Sequence, residues 1–600
     1  MPIGCIGSKR LRQSATAMLC SDNMNRWPYI RFAVAIALLL LTLWFGFQAE
    51  PSEASDFVRH YGYWYTALSG IGFIAYLGMW LISSRRGDSL DRIGIKFLLI
   101  GLVAVLAGAV VVFHGSDLDY KILMDDYLLT ATAKSLHETG EVSVADFGRE
   151  IDGQFTVIQS FVDKRPWFYP FLVSIAHDTF GYHSVHPFVI NAVLAVAFLA
   201  VVFIIGRTLG GLGGGILSVL LWASLPLLQQ NATGGGMEML NLLMIQVVIL
   251  LSIFYLRSPS AKGEGALCLA GILLTYSRYE SGLFLPAILL VIVIGWWKSQ
   301  RVFLSLPAIC AAPLLLAVFL QTRSYAATES SWELADGVAA PFALSHLWQN
   351  IPHALAFFWS RDPAIANSIL LGLLALPALV GFAYLCFGKR KTDWWKQPAN
   401  QVWVIFAAFL LLNLIVVLCF HAAQFDKRYV ARYSLPTHGL IVFSTVACLA
   451  CLRPKRWIWL SSIVLTTLSL LVVTSPKNAQ ALYTKANFMI AEQHWLEAFD
   501  SELMEEGALV IDRFNTAWTL RERAALSLHI ALSSGERIKA ELVEGKYSQL
   551  YLVERLIEKE GTLQAQLPAA DAFKKVFQVE LIQEESFRVG TLTRVYRLKP

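Results

Sequence analysis

Two carboxylates stand side by side in Lys121-Ile-Leu-Met-Asp125-Asp126-Tyr127. Adjacent carboxylates repel, so one of them is expected to hold its proton more tightly unless a cation or metal stands near, and such a group suits general-base work. A competing reading makes Asp125 or Asp126 the N-cap of an amphipathic helix over 127–139. Further on, Phe161-Val-Asp163-Lys164-Arg165-Pro166-Trp-Phe-Tyr-Pro170 sets two cations and a proline turn into an aromatic stretch. Lys164 and Arg165 could clamp a phosphate, arginine as a bidentate fork and lysine as a point charge. They could equally anchor the chain among lipid headgroups, as aromatic belts and snorkelling cations do.

Three later segments carry charge where apolar residues surround it. Glu238, in Gly234-Gly-Gly-Met-Glu238-Met-Leu-Asn241, opens an otherwise apolar helix. A carboxylate at the edge of lipid is costly unless paired and is functional by default, although a helix N-terminus also favours it. Tyr276-Ser-Arg278-Tyr279-Glu280 interrupts another apolar run; Arg278 and Glu280 either meet a substrate or pair as a structural turn. Phe425-Asp426-Lys427-Arg428-Tyr429-Val-Ala-Arg432-Tyr433 sets three cations against one aspartate. A lipid phosphate or diphosphate would satisfy Lys427, Arg428 and Arg432, with Tyr429 and Tyr433 stacking on a sugar or isoprenoid. Seven histidines (His114, His137, His177, His183, His186, His353, His421) fall on the same side, without His-x-His or His-x-x-x-His spacing. The sequence therefore requires no cofactor and leaves room for a divalent metal.

These residues are positioned by a chain built for lipid. Hydrophobic residues make up 56% and charged residues 16%, with mean hydropathy +0.54, a balance that would aggregate in water. The small net charge of +5 is sorted by loop rather than pooled, which excludes a nucleic-acid partner. The eight cysteines form neither a disulfide framework nor a zinc pattern. Apolar windows near 31–48, 62–84, 96–114, 185–206, 212–228, 236–256, 265–278, 281–297, 302–320, 366–387, 402–421, 435–452 and 457–474 predict about thirteen membrane helices. The Gly210-Gly211-Leu212-Gly213-Gly214-Gly215 run lacks a preceding strand and reads as a hairpin between two of them, not a phosphate loop.

Loops bearing Arg85, Arg86, Arg92, Arg207, Arg257, Lys262, Lys298, Arg301, Lys389-Arg390-Lys391, Arg453, Lys455 and Arg456 share a side with the basic N-terminus, which the positive-inside rule makes cytoplasmic. The expected organisation is a cytoplasmic segment 1–30, a membrane domain 31–474 with an outer loop 115–184, and an extracytoplasmic domain 475–600. The last alternates apolar strands (508–511, 549–553, 576–581, 591–598) with helical stretches (483–504, 517–532), an α/β pattern.

The order of elements over 125–207 resembles the GT-C superfamily of membrane glycosyltransferases, in the branch of protein O-mannosyltransferases and lipid A aminoarabinose transferases. Asp125-Asp126, Gly140, Asp163-Lys164-Arg165-Pro166, Phe180-Gly181 and Gly206-Arg207 follow one another as in that branch. Asp126 replaces a commoner glutamate and Arg165 a commoner proline. The resemblance runs to about residue 450 and extends to the acidic residue at Glu238 and the Arg-Tyr element at Arg432-Tyr433. It implies a polytopic helical protein of the bacterial inner membrane that moves a sugar from a polyprenyl-phosphate donor to a lipid, protein or glycan acceptor, with inversion. Asp125 and Asp126 would be catalytic; Lys164, Arg165, Glu238, Arg278, Glu280, Lys427, Arg428, Tyr429 and Arg432 would bind substrate. The alternative is a transporter or flippase for a lipid-linked or anionic substrate, which would set its charges near the bilayer midplane.

Overall fold

The computed structural model describes residues 27–85, 95–114, 116–151, 154–326, 334, 338–360, 367–388, 394–427, 429–451, 456–472, 488–559, 561–567 and 569–600. Arg428, the Lys389-Arg390-Lys391 run and the basic N-terminal segment lie outside these residues.

The chain is a polytopic α-helical membrane protein with a strand-containing C-terminal domain. Helices occupy every predicted window: Trp27–Gln48, Pro51–Arg85, Ile95–Phe113, His186–Ala223, Glu238–Arg257, Ala261–Thr275, Leu285–Ser299, Ala311–Ala326, Ile369–Phe387, Pro398–Leu418, Leu435–Cys451 and Arg456–Val472. By length and composition, eight helices among the described residues can cross a membrane, fewer than the thirteen windows. The remaining windows hold shorter helices, and one helix takes two windows. Ala261–Thr275, for example, has 15 residues, about 22 Å of rise.

The helix spanning two windows, His186–Ala223, leaves helical geometry at Gly210 and at Gly211, where φ is +67°. A Cβ on Gly206 would lie 2.2 Å from Ser218 Oγ and 2.6 Å from the Gly214 carbonyl. Its two legs therefore run back alongside each other, and the glycine run is the expected hairpin. Packing sorts the helices: Trp27–Gln48 faces outward along almost its whole length, whereas Glu238–Arg257 and Leu435–Cys451 are buried inside the bundle.

At one end of the bundle the outer loop contributes the helix Leu123–Thr139, here termed the carboxylate helix, and a hairpin of β1 (Val144–Ile151) and β2 (Gln154–Phe161). The C-terminal segment supplies β3 (Leu509–Ile511), β4 (Ala524–Leu526), β5 (Leu550–Lys559), β6 (Thr562–Ala565), β7 (Gln578–Arg588) and β8 (Thr591–Lys599). All eight form one sheet in the order β2-β1-β4-β3-β5-β8-β7, with β6 on β5. β3 lies parallel to β4 and β5, and Gly148 of β1 pairs with Ala525 of β4. The hairpin had no strong alternating pattern in sequence. The predicted helix 517–532 is corrected: it is helical at Asn515–Thr519 and Leu528–Ser533, with β4 between them. Glu522, at φ +62°, breaks the helix, and pairing with β3 and β1 overrides the helical preference of alanine.

The sheet domain grips the carboxylate helix. Tyr127, Leu128, Ala131 and Val144 pack with Ala517 and Leu520. Tyr127 Oη donates to Gln493 Oε1 at 2.5 Å, Lys134 Nζ lies 3.0 Å from Glu522, and His494 lies 2.8 Å from Asp119. The Tyr127→Phe substitution strips a buried acceptor of its donor and is expected to cost about 1–3 kcal/mol. The check is the thermal unfolding of purified protein; an unchanged midpoint would refute the grip.

Candidate active site at the loop end of the bundle

The carboxylate helix begins after Ile122, whose side chain provides no cap. Asp126 compensates from the first turn: its Oδ2 accepts the backbone N–H of Lys121 at 2.7 Å and of Ile122 at 3.1 Å. The capping reading thus fits Asp126 in modified form. Asp125 is left to face the other way.

Asp125 is held from two distant parts of the chain. Its Oδ1 accepts Arg165 Nε at 2.7 Å and also Arg165 Nη2, and its Oδ2 accepts Arg432 Nη2. Arg165 is fixed in turn: Nη1 donates to both oxygens of Asp163 at 2.9 Å, and Gln321 Nε2 donates to the carbonyls of Asp163 and Arg165 at 3.1 and 2.9 Å. Arg432 Nη1 stands 3.1 Å from Glu238 Oε1, which also accepts Arg278 Nη1 at 2.9 Å. Arg278 Nε lies 2.5 Å from Glu280. The result is one chain of charge, Asp163–Arg165–Asp125–Arg432–Glu238–Arg278–Glu280. Glu238 is only 2% exposed, so solvation at a helix N-terminus does not account for it.

The neighbours complete a small pocket lined by Glu238, Asn241, Arg278, Glu280, Arg432 and Tyr433. The Tyr433 ring lies 5.0 Å from the Arg278 guanidinium and 5.4 Å from that of Arg432. Asn241 Oδ1 accepts the hydroxyls of Ser277 at 2.9 Å and Ser281 at 2.6 Å, pinning the turn that presents Arg278. Two hydrogen-bonding atoms stay unused: Arg432 Nε and Glu238 Oε2 are buried without a partner. Buried guanidinium N–H groups without acceptors are the donors an incoming anion would use.

Electrostatics divide the two aspartates. Burial pushes Asp125 up, but Arg432 and Arg165 outweigh it and hold the carboxyl well below the usual carboxylate range. Burial pushes Asp126 up to about 7, with Asp125 and Glu238 adding to it and the two backbone N–H groups opposing. The proton-holding member expected of the pair is thus Asp126, the carboxyl turned away from the arginines.

The remaining predicted residues lie at the margin. Lys164 is half-buried; Lys427 and Tyr429 are exposed, Tyr429 by 55%. The histidines do not gather at Asp125: His353 pairs with Asp426 at 2.7 Å and His137 with Asp178 at 2.5 Å. No group of three or more His, Cys, Asp or Glu among the described residues could hold a metal, and the guanidiniums on Asp125 already occupy its oxygens. Asp163 stood inside a recognised motif, and its aspartate beside a cation was the available signal. Gln321, at the end of an apolar window, gave none.

No described protein family matches the chain, and no curated protein matches it. Among solved structures it is similar to ArnT from Cupriavidus metallidurans bound to undecaprenyl phosphate, at 11% identity over 84% of this chain and 98% of that one, with TM-score 0.48. It is similar to the Archaeoglobus fulgidus oligosaccharyltransferase in complex with Zn and sulfate (12% identity, 78% and 72% coverage, TM-score 0.44). It is also similar to the arabinosyltransferase EmbB from Mycobacterium smegmatis (14% identity, 68% and 44% coverage, TM-score 0.33). At such identities and scores the likeness fixes neither activity nor substrate.

The raised Asp126 has a consequence for stability. Its folded value lies above that of the unfolded chain, so the stability it contributes is complete below about pH 4 and is lost as pH rises towards 7. The Asp126→Asn variant should therefore gain on wild type across that interval and keep a constant lead above it. Melting temperatures measured at intervals of pH decide this; a lead that shrinks with rising pH would contradict the assignment.

Proposed function

We propose that the chain is a glycosyltransferase that moves a sugar from a polyprenyl-phosphate donor to an acceptor hydroxyl or amine at the extracytoplasmic membrane face. The observation that carries this reading is the clamp on Asp125, in which Arg165 and Arg432 arrive from opposite ends of the membrane domain onto one buried carboxylate. Arginine forks of that kind recognise phosphate, and a carboxylate among them can take a proton from an acceptor.

The clamp also defines a problem and its resolution. A carboxylate paired with two guanidiniums is a poor base, so Asp125 is inactive as it stands. The site holds three arginines against four carboxylates, and a phosphate enters only by exchange. The donor phosphate takes the Arg432 and Arg165 forks, Asp125 is released, and its affinity for a proton rises. The acceptor oxygen or nitrogen then attacks the anomeric carbon in line. Its proton passes to Asp125 and the sugar–phosphate bond breaks with its electrons on the phosphate, already neutralised by arginine. One displacement inverts the anomeric centre. Lys164, Lys427 and Tyr429 would meet the donor at the mouth, with Glu238, Arg278 and Glu280 setting Arg432.

The same proposal places the protein in a bacterial inner membrane, with the N-terminus cytoplasmic and the sheet domain outside. The distribution of Arg and Lys among loops supports this orientation. It requires no cofactor, and its acceptor class is open among lipid, protein and glycan. A transporter or flippase is the second reading. Against it stands the placement of the charges at helix ends such as Glu238 and Arg432, beside a loop and a soluble domain, instead of on broken helices at mid-depth.

Membranes containing the protein, supplied with radiolabelled polyprenyl-phosphate sugar and an envelope extract, are expected to transfer label to an acceptor. Asp125→Asn should lower transfer by on the order of 10²-fold or more. Arg432→Lys, which keeps the charge but loses the fork, should raise the donor KM on the order of tenfold. Label that crosses the membrane while still on its lipid would favour the transporter, and an active Asp125→Asn enzyme would remove the base.

A further inference from the structure

One amphipathic helix takes no part in the chemistry proposed above. Leu344–Trp359 has 16 residues and holds no Asp, Glu, Lys or Arg. At about 100° per residue, Leu344, Trp348, Pro352, Leu355 and Trp359 fall within about 80° of one another. All five are exposed, Trp348 by 73%. Ser345, Gln349 and Ala356, also exposed, take the adjoining arc, and Asn350, Ala354 and Phe357 are buried on the opposite side. The helix thus has three faces: one packed on protein, one apolar and open, one small or polar and open.

Its attachments show where the open apolar face sits. Ile369–Phe387 and Pro398–Leu418 are both long and apolar enough to cross a membrane, and the short connection between them leaves Ile369 and Leu418 at the same end of the bundle. At one end of the amphipathic helix, a Cβ on Gly372 would collide with the Phe358 carbonyl and lie 3.6 Å from Trp359 Cδ1. Towards the other end, Asn350 Nδ2 donates to the carbonyls of Leu418 and Phe420 at 3.0 and 2.8 Å, and the Ala343 N–H donates to the Cys419 carbonyl at 3.0 Å. The helix, about 24 Å long, therefore lies across the ends of two spans, where hydrocarbon gives way to headgroups. Trp359, a member of the apolar face, meets the first turn of a span whose Leu373, Leu376 and Val380 are themselves exposed on the outside of the bundle. On another flank His353 pairs with Asp426 at 2.7 Å, in the polar turn that carries Lys427. The apolar face is thus continuous with the lipid-facing surface of the bundle, which favours lipid over a second copy of the chain, and tryptophan is enriched at that depth.

We propose that Leu344–Trp359 is an interfacial helix, seated in the leaflet on the side of the arginine clamp, with Leu344, Trp348, Pro352, Leu355 and Trp359 sunk among the upper acyl chains and Ser345 and Gln349 turned to water. The same helix grips residues 418–426, the stretch that leads to Arg432. The seat stands whether or not the chain transfers sugar.

Full-length protein would be reconstituted in phosphatidylethanolamine–phosphatidylglycerol vesicles doped with a phosphatidylcholine that carries a diazirine either high on its acyl chain or at the chain end. After irradiation the adducts are mapped by peptide mass spectrometry. The high probe is expected to mark 342–360, and the chain-end probe to mark it on the order of tenfold less, while both mark Ile369–Phe387. Trp348→Asp should cut the high-probe yield on 342–360 by on the order of tenfold and leave that on Ile369–Phe387 unchanged; if this variant does not fold, the two probes on wild type decide alone. Wild type in which Ile369–Phe387 is marked and 342–360 is not, the outcome for a face covered by a second copy or another protein, overturns the seat. Equal marking of 342–360 by both probes overturns it too, since the helix would then lie in the hydrocarbon core.

Discussion

Burying a carboxylate against two guanidiniums sets the terms for the rest of this molecule. Each ion leaves water at a cost of several kcal/mol, and the attraction offsets that cost only when geometry is tight and further partners are at hand. Arg165 and Arg432 are therefore tied to Asp163 and Glu238, and Glu238 to Arg278 and Glu280. Removing Arg165 would leave Asp163, and removing Arg278 would leave Glu280, without its ionic partner. The turns that carry these residues are fixed by Gln321 and Asn241, neutral side chains whose hydrogen bonds fall on backbone or hydroxyl partners.

The carboxylate helix is held between two bodies of different chemistry. On one side the membrane bundle delivers arginines; on the other the C-terminal sheet delivers apolar packing and neutral or charged hydrogen bonds. Because β1 and β2 come from the same loop as the helix and join the same sheet, the C-terminal domain is bonded into the site's scaffold and does not hang from the last membrane helix as a separate unit.

Two adjacent aspartates on one helix diverge because successive side chains on a helix point about 100° apart. One turns toward arginine and loses its affinity for protons. The other turns toward backbone amides in a buried setting and gains it. The buried Nε of Arg432, the guanidinium that pairs with the first, has no hydrogen-bond partner.

Composition and the positions of apolar runs were enough to establish a membrane protein, the location of its helices, the glycine hairpin and a charged C-terminal α/β segment, because hydrophobic length and turn residues are local properties. Asp125, Arg165, Glu238, Arg278 and Arg432 were legible as ionisable groups in lipid-like surroundings, for the same reason. Their pairing was not, since Asp125 and Arg432 stand 307 residues apart and no spacing relates them. Nor was the β1–β2 hairpin, whose strands gain their stability from Ala525 on a distant segment, or the helix expected over 517–532, which that same pairing turns partly into strand. Which aspartate keeps its proton depended on direction and burial, and those exist only once the helix is packed between bundle and sheet.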